Sequence, residues 1–229
     1  MQTFVPTEEE AKALLSAKYC SPLKLQDIAC VWISPPLEKY KKRQEHMHRL
    51  CQTIGFKKVT ARKGYTDYPR CLARSNRDIL FENLQTNPDD PLLILEDDVD
   101  WNGQEFFSVP HGTDAIWLGS STCRASRVKN HHVVKAELAD WNAGWVRVIN
   151  MLSTHAVLYL SRRFKEMALQ QFEADLLAPD PTHIDILLGR QQSKFQVLAP
   201  RGLPVFVQSA LFNSKHAHEA TLQVLEPTM

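Results

Sequence analysis

The chain has 229 residues, 44% of them hydrophobic, which is enough to bury one sizeable core and predicts one compact domain. Its 27 Lys and Arg residues nearly balance its 26 Asp and Glu residues, so there is no global basic field of the kind that binds nucleic acid nonspecifically. A nucleic-acid partner is therefore unsupported.

The N-terminal residues MQTFVPTEEEAKALL lack the basic start and long apolar stretch of a secretory signal, and no run approaches the about 20 apolar residues that cross a bilayer. The five cysteines are scattered and form no CxxC pair, as is typical of reduced thiols. We therefore expect a cytoplasmic protein with no transmembrane segment. Thr7 and Glu10 have capping-box spacing, which predicts a helix over residues 8–19 in an N-terminal helical extension, residues 1–26.

The following segments alternate between strand and helix. IACVWI at residues 28–33 is a short apolar run rich in strand formers, and the apolar stripe of residues 37–54 predicts a helix that ends at Gly55. KKVTAR predicts a second strand, residues 71–84 a second helix, and LLIL at residues 92–95 a third strand. We expect the basic stretch Lys41, Lys42 and Arg43 to form the solvated face of its helix.

The alternation continues towards the C-terminus. AIWLGS, VVKAEL and HAVLYLS are predicted strands, Ser161 is placed to cap a helix that runs to Leu177, and a further helix covers residues 183–192. FQVLAP and VFVQS are late extended segments. This pattern predicts an α/β fold with a mainly parallel central sheet flanked by helices. In such sheets, ligands bind at the carboxyl ends of the strands.

Acidic residues follow the third predicted strand directly. Glu96, Asp97 and Asp98 end the apolar run LLIL, and Asp100 lies just beyond them. Adjacent carboxylates repel one another, which raises their pKa values unless a cation neutralises them. A divalent ion such as Mn²⁺ or Mg²⁺ suits oxygen ligands and accepts substrate phosphates as further ligands. The alternative interpretation is a solvated acidic turn beside a helix N-terminus.

Around this cluster the sequence resembles glycosyltransferase family 25. LILEDDV matches the hallmark of that family, and weaker matches stand in the same order on both sides of it: VWISPPLEKYKKRQEHMHRLCQTIGF, CLARSNRDIL, DAIWLGSS, THAVLYLS, HIDILL and PVFVQSALFNS. The chain departs from the family at Arg74, Ser75 and Asn76, where the family has Ser and His. The resemblance implies a single GT-A (Rossmann-like) domain over residues 27–215, followed by a tail over residues 216–229.

The resemblance also implies a function and its residues. The family transfers a hexose from a nucleotide sugar such as a UDP-sugar to an acceptor hydroxyl, with inversion, and uses a carboxylate metal motif. By position, Asp97 and Asp98 would bind the metal and the diphosphate, and Glu96 would support them or touch the ribose. Ile33 and Ser34, at the end of the first predicted strand, would lie beside the nucleotide base.

Further candidates are weaker, and each has an ordinary alternative. Asp185 is the candidate catalytic base, or else a carboxylate at a helix N-terminus. Arg62 and Arg74 are candidates for holding the diphosphate, or else surface residues. Gln208 is a candidate for a hydrogen bond to the donor, or else a residue that satisfies the backbone at a strand end. His216 is the candidate third metal ligand, with His218 beside it, or else a solvated residue of the tail.

The acceptor is expected to be a glycan or glycoconjugate. Two alternatives remain: the same chemistry on a protein or a modified nucleic-acid base, and a catalytically silent sugar- or nucleotide-binding protein of the same fold. A phosphatase of the haloacid dehalogenase type is disfavoured because its nucleophile would follow the first strand. Neither a P-loop nor a GxGxxG motif occurs, so kinase and dehydrogenase functions lack support.

Overall fold

The computed structural model describes residues 20–67, 70–121, 123–124 and 135–212. Within these residues the chain forms twelve strands: β1 (Cys20–Lys24), β2 (Ala29–Ser34), β3 (Lys58–Lys63), β4 (Leu92–Glu96), β5 (Val99–Trp101), β6 (Phe106–Pro110), β7 (Ala115–Trp117), β8 (Glu137–Asn142), β9 (Trp145–Asn150), β10 (Ala156–Tyr159), β11 (Val197–Pro200) and β12 (Phe206–Gln208). The same part of the chain forms four α-helices: α1 (Lys41–Ile54), α2 (Arg70–Thr86), α3 (Arg162–Leu177) and α4 (Ile184–Gly189). None of these helices is long and apolar enough to cross a membrane.

The central sheet of the described residues has eight strands in the order β3-β2-β4-β10-β7-β11-β9-β8. The β2–β3, β2–β4 and β7–β11 pairs are parallel. The β4–β10, β7–β10, β9–β11 and β8–β9 pairs are antiparallel. The sheet is therefore mixed, and the prediction of a mainly parallel sheet holds for its first three strands. The reason is that β8 and β9 form a hairpin and β10 enters between β4 and β7, which the strand–helix pattern does not reveal.

The sheet lies between two apolar layers, since successive side chains of a strand point to opposite faces. On β4, Leu92 and Ile94 pack into a core with α2, α3 and α4, whereas Leu93 and Leu95 pack into a second core with α1. Helix α1 buries Met47, Cys51 and Ile54 in this second core, at the spacing of one helical face. Its C-cap is Gly55, with a φ of 77°, as the sequence predicts.

Strands β2, β3 and β4 form a topological switch point. Helix α1 connects β2 to β3 and packs on one face of the sheet, and α2 connects β3 to β4 and packs on the other. Because β3 and β4 flank β2 on opposite sides, a crevice opens at the carboxyl ends of β2 and β4. Ser34 ends β2 and Glu96 ends β4, so the fold brings the acidic triplet to this crevice.

The N-terminal boundary differs from the prediction. Residues 20–26 were assigned to a helical extension, but residues 20–24 form β1, which pairs with β6 outside the central sheet. Leu25, in the short 3-10 turn that follows, is fully buried in the second core. This part of the chain is therefore packed against the domain. The helix predicted over residues 8–19 and the tail over residues 216–229 lie outside the described residues.

Asp114 links three segments at the start of β7. Its side chain is 1% exposed and accepts hydrogen bonds from Ser161 Oγ at 2.6 Å, Arg163 Nε at 2.6 Å and the Gln196 N–H at 2.8 Å. Burial by itself would raise the pKa of Asp114, but these donors outweigh it and hold the pKa below its ordinary value of 3.8. The ionised carboxylate therefore fastens α3 and β11 to β7.

We predict that Asp114→Asn lowers the free energy of unfolding by about 2 kcal/mol at pH 7, because it removes a charged acceptor from buried donors. The folded-state pKa lies below the unfolded one, so this contribution is present above about pH 3.9 and is lost as the pH falls through the folded-state pKa. Urea titrations between pH 7 and pH 3 measure it, with exposed Asp180→Asn as the control. The pKa of an unfolded Asp is about 4. If the difference in unfolding free energy between wild type and Asp114→Asn grows as the pH falls below this value, the lowered pKa assigned to Asp114 is contradicted.

Candidate functional site

The acidic triplet lies in the crevice with its backbone fixed on two sides. The Glu96 N–H donates to the His155 carbonyl at 2.9 Å, and the Ser209 N–H donates to the Asp98 carbonyl at 2.6 Å. Asp97 and Asp98 are 5% and 6% exposed, so their charges are almost removed from bulk water. An ionised carboxylate in such a position needs nearby donors or cations. The alternative of a solvated acidic turn does not fit this burial.

Ser34 and Arg43 supply the hydrogen-bond donors and the positive charge that the buried Asp97 carboxylate needs. Ser34 Oγ donates to Asp97 Oδ2 at 2.6 Å, and Arg43 Nη1 donates to Asp97 Oδ1 at 3.1 Å. Burial nevertheless raises the pKa of Asp97 above its ordinary value, since these two partners offset the loss of water only in part. Ser34 thus contacts an acidic side chain of the triplet, and its place beside the nucleotide base stays a prediction.

Arg43 contacts both aspartates with a single atom. Its Nη1 lies 3.1 Å from Asp97 Oδ1 and 3.3 Å from Asp98 Oδ2, and the guanidinium also lies over the rings of Tyr40 and Phe212, at 5.2 and 5.5 Å. The expectation that Lys41, Lys42 and Arg43 form a solvated face is therefore wrong for Arg43. Helical spacing does carry a signal for it, because Arg43 lies four residues before Met47 on the buried face of α1. The identity of its partner, 54 positions away in sequence, is not visible from that spacing.

Glu96 differs chemically from its two neighbours. Burial, followed by the nearby Asp98 carboxylate, raises the pKa of Glu96 to about 8, although Thr154 Oγ1 donates to its Oε1 at 3.0 Å. Asp185 adds to the increase, which places it within electrostatic range of Glu96. At neutral pH Glu96 is therefore mainly protonated, and the negative charge of the triplet lies on the two aspartates.

Asp185, the candidate base, lies in the first turn of α4 and is half-buried. Its Oδ1 accepts a hydrogen bond from the Ile186 N–H at 2.9 Å, which is the ordinary arrangement of a carboxylate at a helix N-terminus. The Asp185 carboxylate also interacts electrostatically with Glu96 of the acidic triplet. Both interpretations drawn from the sequence are thus compatible with one position, at the β4 edge of the crevice.

His155 supports the triplet from behind. Its Nδ1 lies 2.6 Å from Ser153 Oγ and its Nε2 lies 3.3 Å from the Phe206 carbonyl. Burial lowers the pKa of His155, so the ring is neutral at pH 7 in spite of the nearby Asp98. Ser153 has a φ of 98°, a left-handed conformation rare outside glycine, and this turn directs Thr154 towards Glu96. A Cβ atom at Gly119 would overlap the His155 ring.

A cavity of about 470 Å³ lies on the β3 side of Ser34, whose Oγ contacts Asp97, and neither aspartate is part of its wall. Its wall includes Ser34, Gln44, Arg62 and Lys63. Gln44 Nε2 donates to Ser34 Oγ at 3.3 Å and to the Pro35 carbonyl at 3.0 Å, which ties the cavity wall to the Ser34–Asp97 contact. The cavity volume lies in the range of pockets for small molecules, which is about 300–1,000 Å³.

The remaining candidates are placed less favourably. Arg62 lines the cavity but forms an ion pair with Glu82 of α2, and Arg74 forms one with Asp67 at 3.2 Å. Ile33 is 4% exposed in the core, one residue before Ser34. Gln208 lies opposite Val99 in the β5–β12 pair. His216 and His218 lie outside the described residues.

Whether the site suits a divalent cation depends on the donor atoms that converge there. In the described part of the chain, no three His, Cys, Asp or Glu side chains converge as a complete ligand set. However, carboxylate oxygens of Asp97 and Asp98 both approach one positively charged nitrogen of Arg43, within 3.3 Å. Hard oxygen donors that meet at a cationic position suit Mg²⁺ or Mn²⁺, which commonly take few protein ligands and complete their shell with phosphates and water.

No protein-family model matches the chain, and no curated protein matches it. Among solved structures, the chain is similar to the crystal structure of a glycosyltransferase involved in the glycosylation of the major capsid of PBCV-1, with 10% identity and a TM-score of 0.48 over 85% of this chain and 91% of that chain. It is also similar to A197 from STIV, with 12% identity and a TM-score of 0.40 over 88% of this chain and 97% of that chain. At such scores neither likeness decides fold family or function. The resemblance to glycosyltransferase family 25 stays a prediction.

We predict that Gly119→Ala lowers the free energy of unfolding by about 1–3 kcal/mol, because the added methyl group must displace the His155 ring. Gly144→Ala is the matched control, since a Cβ there would lie 3.8 Å from Asn142 Oδ1, which is an ordinary van der Waals contact. Urea unfolding followed by tryptophan fluorescence measures both variants. Equal stability of Gly119→Ala and wild type would contradict the placement of His155 behind the triplet.

Proposed function

We propose that this chain is a metal-dependent glycosyltransferase with a single GT-A-like domain, which moves a hexose from a UDP-sugar to an acceptor hydroxyl with inversion. The observation that carries the proposal is the buried Asp97–Asp98 pair at the switch point, beside a cavity of about 470 Å³. Ligands of open α/β sheets bind at such points. The acidic pair and the basic residues of the cavity wall offer partners for a cation and for phosphate groups.

The nucleotide of the donor would occupy the cavity, with its diphosphate directed towards Asp97. Ser34 and Gln44 stand between these two parts of the site, and Arg62 and Lys63 give the cavity wall positive charge. Arg74 is the weaker phosphate candidate because its ion pair with Asp67 holds it elsewhere. Ile33 would contribute through the backbone at the end of β2, and Gln208 through its position beside β5.

Asp97 and Asp98 would hold Mn²⁺ or Mg²⁺, with His216 as the proposed third protein ligand. When bound, the ion would stabilise the negative charge that develops on the leaving diphosphate. Glu96 would support the two aspartates and not the ion, because its Oε1 already accepts a hydrogen bond from Thr154 Oγ1 at 3.0 Å. Its role would be to orient Thr154 and the end of β4.

Asp185 would act as the base that accepts the proton of the acceptor hydroxyl. A carboxylate offers about four lone-pair sites, so the Ile186 N–H leaves capacity for a hydroxyl group. A glycan or glycoconjugate acceptor is the proposed class. Protein and modified nucleic-acid acceptors, and a catalytically silent binding protein, are the outcomes against which the proposal is tested.

We predict that the protein hydrolyses a UDP-sugar slowly in the presence of Mn²⁺, and that EDTA or Asp98→Asn lowers this rate by about 100-fold or more, because charge stabilisation at the diphosphate is lost. A panel of UDP-, GDP- and TDP-sugars is assayed by release of the nucleoside diphosphate. Asp89→Asn, in an exposed turn, is the control for removal of one negative charge.

Each outcome of this assay has a distinct meaning. Turnover that ignores both EDTA and Asp98→Asn would overturn the metal site and leave the transferase open. Absence of nucleotide-sugar binding across the panel would overturn the transferase itself. Binding without turnover, with or without a glycan panel, would favour the silent binding protein.

We predict that Asp185→Asn lowers turnover by about 100-fold to 10,000-fold, as expected for loss of a general base, while the Kd for UDP changes little. Asp180→Asn is the matched control, because it is an exposed aspartate five positions earlier. The rate comes from the donor-hydrolysis assay and the Kd from calorimetry at saturating Mn²⁺. A parallel loss of UDP affinity and rate would assign Asp185 to binding or folding.

A further inference from the structure

Arg43 holds the position at which a cation would bind. One atom, Nη1, contacts carboxylate oxygens of both Asp97 and Asp98, and the Arg43 side chain is 22% exposed, so solvent reaches part of it. Two buried carboxylates therefore contact one guanidinium. With all three side chains ionised, their summed charge is negative, and a divalent cation would attract the carboxylates more strongly than the guanidinium does.

Helix α1 stays attached to the site without the Arg43 contacts. Gln44 Nε2 donates to the Pro35 carbonyl at 3.0 Å. His46 Nε2 lies 2.8 Å from the Val99 carbonyl and 3.0 Å from Asp100 Oδ1. The Arg43 side chain can therefore change partners while its helix remains in place. Its stacking on Tyr40 and Phe212 keeps the guanidinium near the crevice during such a change.

We propose that Arg43 is an exchangeable internal cation: it pairs with Asp97 and Asp98 in the free protein, yields them to the divalent ion, and then binds the diphosphate of the donor. This inference rests on the proposed function. Charge balance favours it, because the metal would leave the guanidinium without its carboxylates just as the diphosphate brings new negative charge. The planar guanidinium also suits phosphate, to which it can donate two parallel hydrogen bonds.

The test measures two affinities in the same three variants, with no turnover required. Binding of Mn²⁺ alone is followed by the electron paramagnetic resonance signal of the free ion, and binding of UDP at saturating Mn²⁺ by calorimetry. The variants are Arg43→Gln, Arg43→Lys and Lys42→Gln. Lys42 is the matched control because it is an exposed cation next to Arg43 on the same helix, so its replacement reports the long-range effect of charge.

Arg43→Gln is expected to bind Mn²⁺ about tenfold more tightly and UDP about tenfold more weakly than wild type, since it removes a competitor of the ion and a partner of the diphosphate. Arg43→Lys keeps the positive charge but lacks the two parallel N–H donors of the guanidinium. It is expected to stay near wild type for Mn²⁺ and to recover part of the UDP affinity. Lys42→Gln should follow wild type in both measurements.

A fixed structural role predicts a different result. If Arg43→Gln weakens both ligands, or changes neither beyond Lys42→Gln, the exchange is overturned, and wild-type binding of Mn²⁺ and UDP leaves the proposed function intact. If Arg43→Gln does not fold by circular dichroism, Arg43→Lys decides: an unchanged UDP affinity overturns the inference. If wild type binds neither Mn²⁺ nor UDP, the proposed function fails, and the inference fails with it.

Discussion

The burial of two adjacent aspartates at the end of a central strand is the constraint around which the site is arranged. Taking an ionised carboxylate out of water costs several kcal/mol in real proteins unless donors and cations replace the water. Ser34 and Arg43 meet that need for Asp97, and Arg43 does so for Asp98. Ser34 and Arg43 replace the lost water around Asp97 only in part, so burial still raises the pKa of Asp97. Ser34 joins this acidic pair to the cavity, because it contacts Asp97 and also lines the cavity wall.

The chain topology creates this arrangement from segments that are distant in sequence. Strands β2 and β4 are neighbours in the sheet, but α1, β3 and α2 lie between them in the chain. Strand β12 closes the other side by pairing with β5, so that the Ser209 N–H reaches the Asp98 carbonyl. The contacts of Asp97 with Ser34 and Arg43, and of the Asp98 carbonyl with Ser209, thus join segments that are distant in sequence. The site can form only when the domain has folded.

This dependence explains which features could be predicted from the sequence. The helices around Met47 and Phe164 and the strand before Glu96 follow from apolar periodicity and caps, which are local signals. The short strands β5 and β6 contain polar residues and lack such a signal. Arg43 lies four residues before Met47 and eleven before Ile54, so helical spacing places it on the buried face of α1, whereas Lys42 lies outside that face. Arg62 and Arg74 are candidates only because they are positively charged, and each forms an ion pair with a nearby carboxylate.

The three consecutive acidic residues differ in role although their side chains are of one chemical type. Glu96 is protonated because burial and its acidic neighbours act on it together, with Thr154 as a single compensating donor. His155 remains neutral behind it. The charge of the triplet is thereby concentrated on Asp97 and Asp98, on the side of Arg43 and the cavity. Under the proposed function, the aspartates would receive the positive charge of a metal ion, and the arginine would receive the negative charge of a diphosphate.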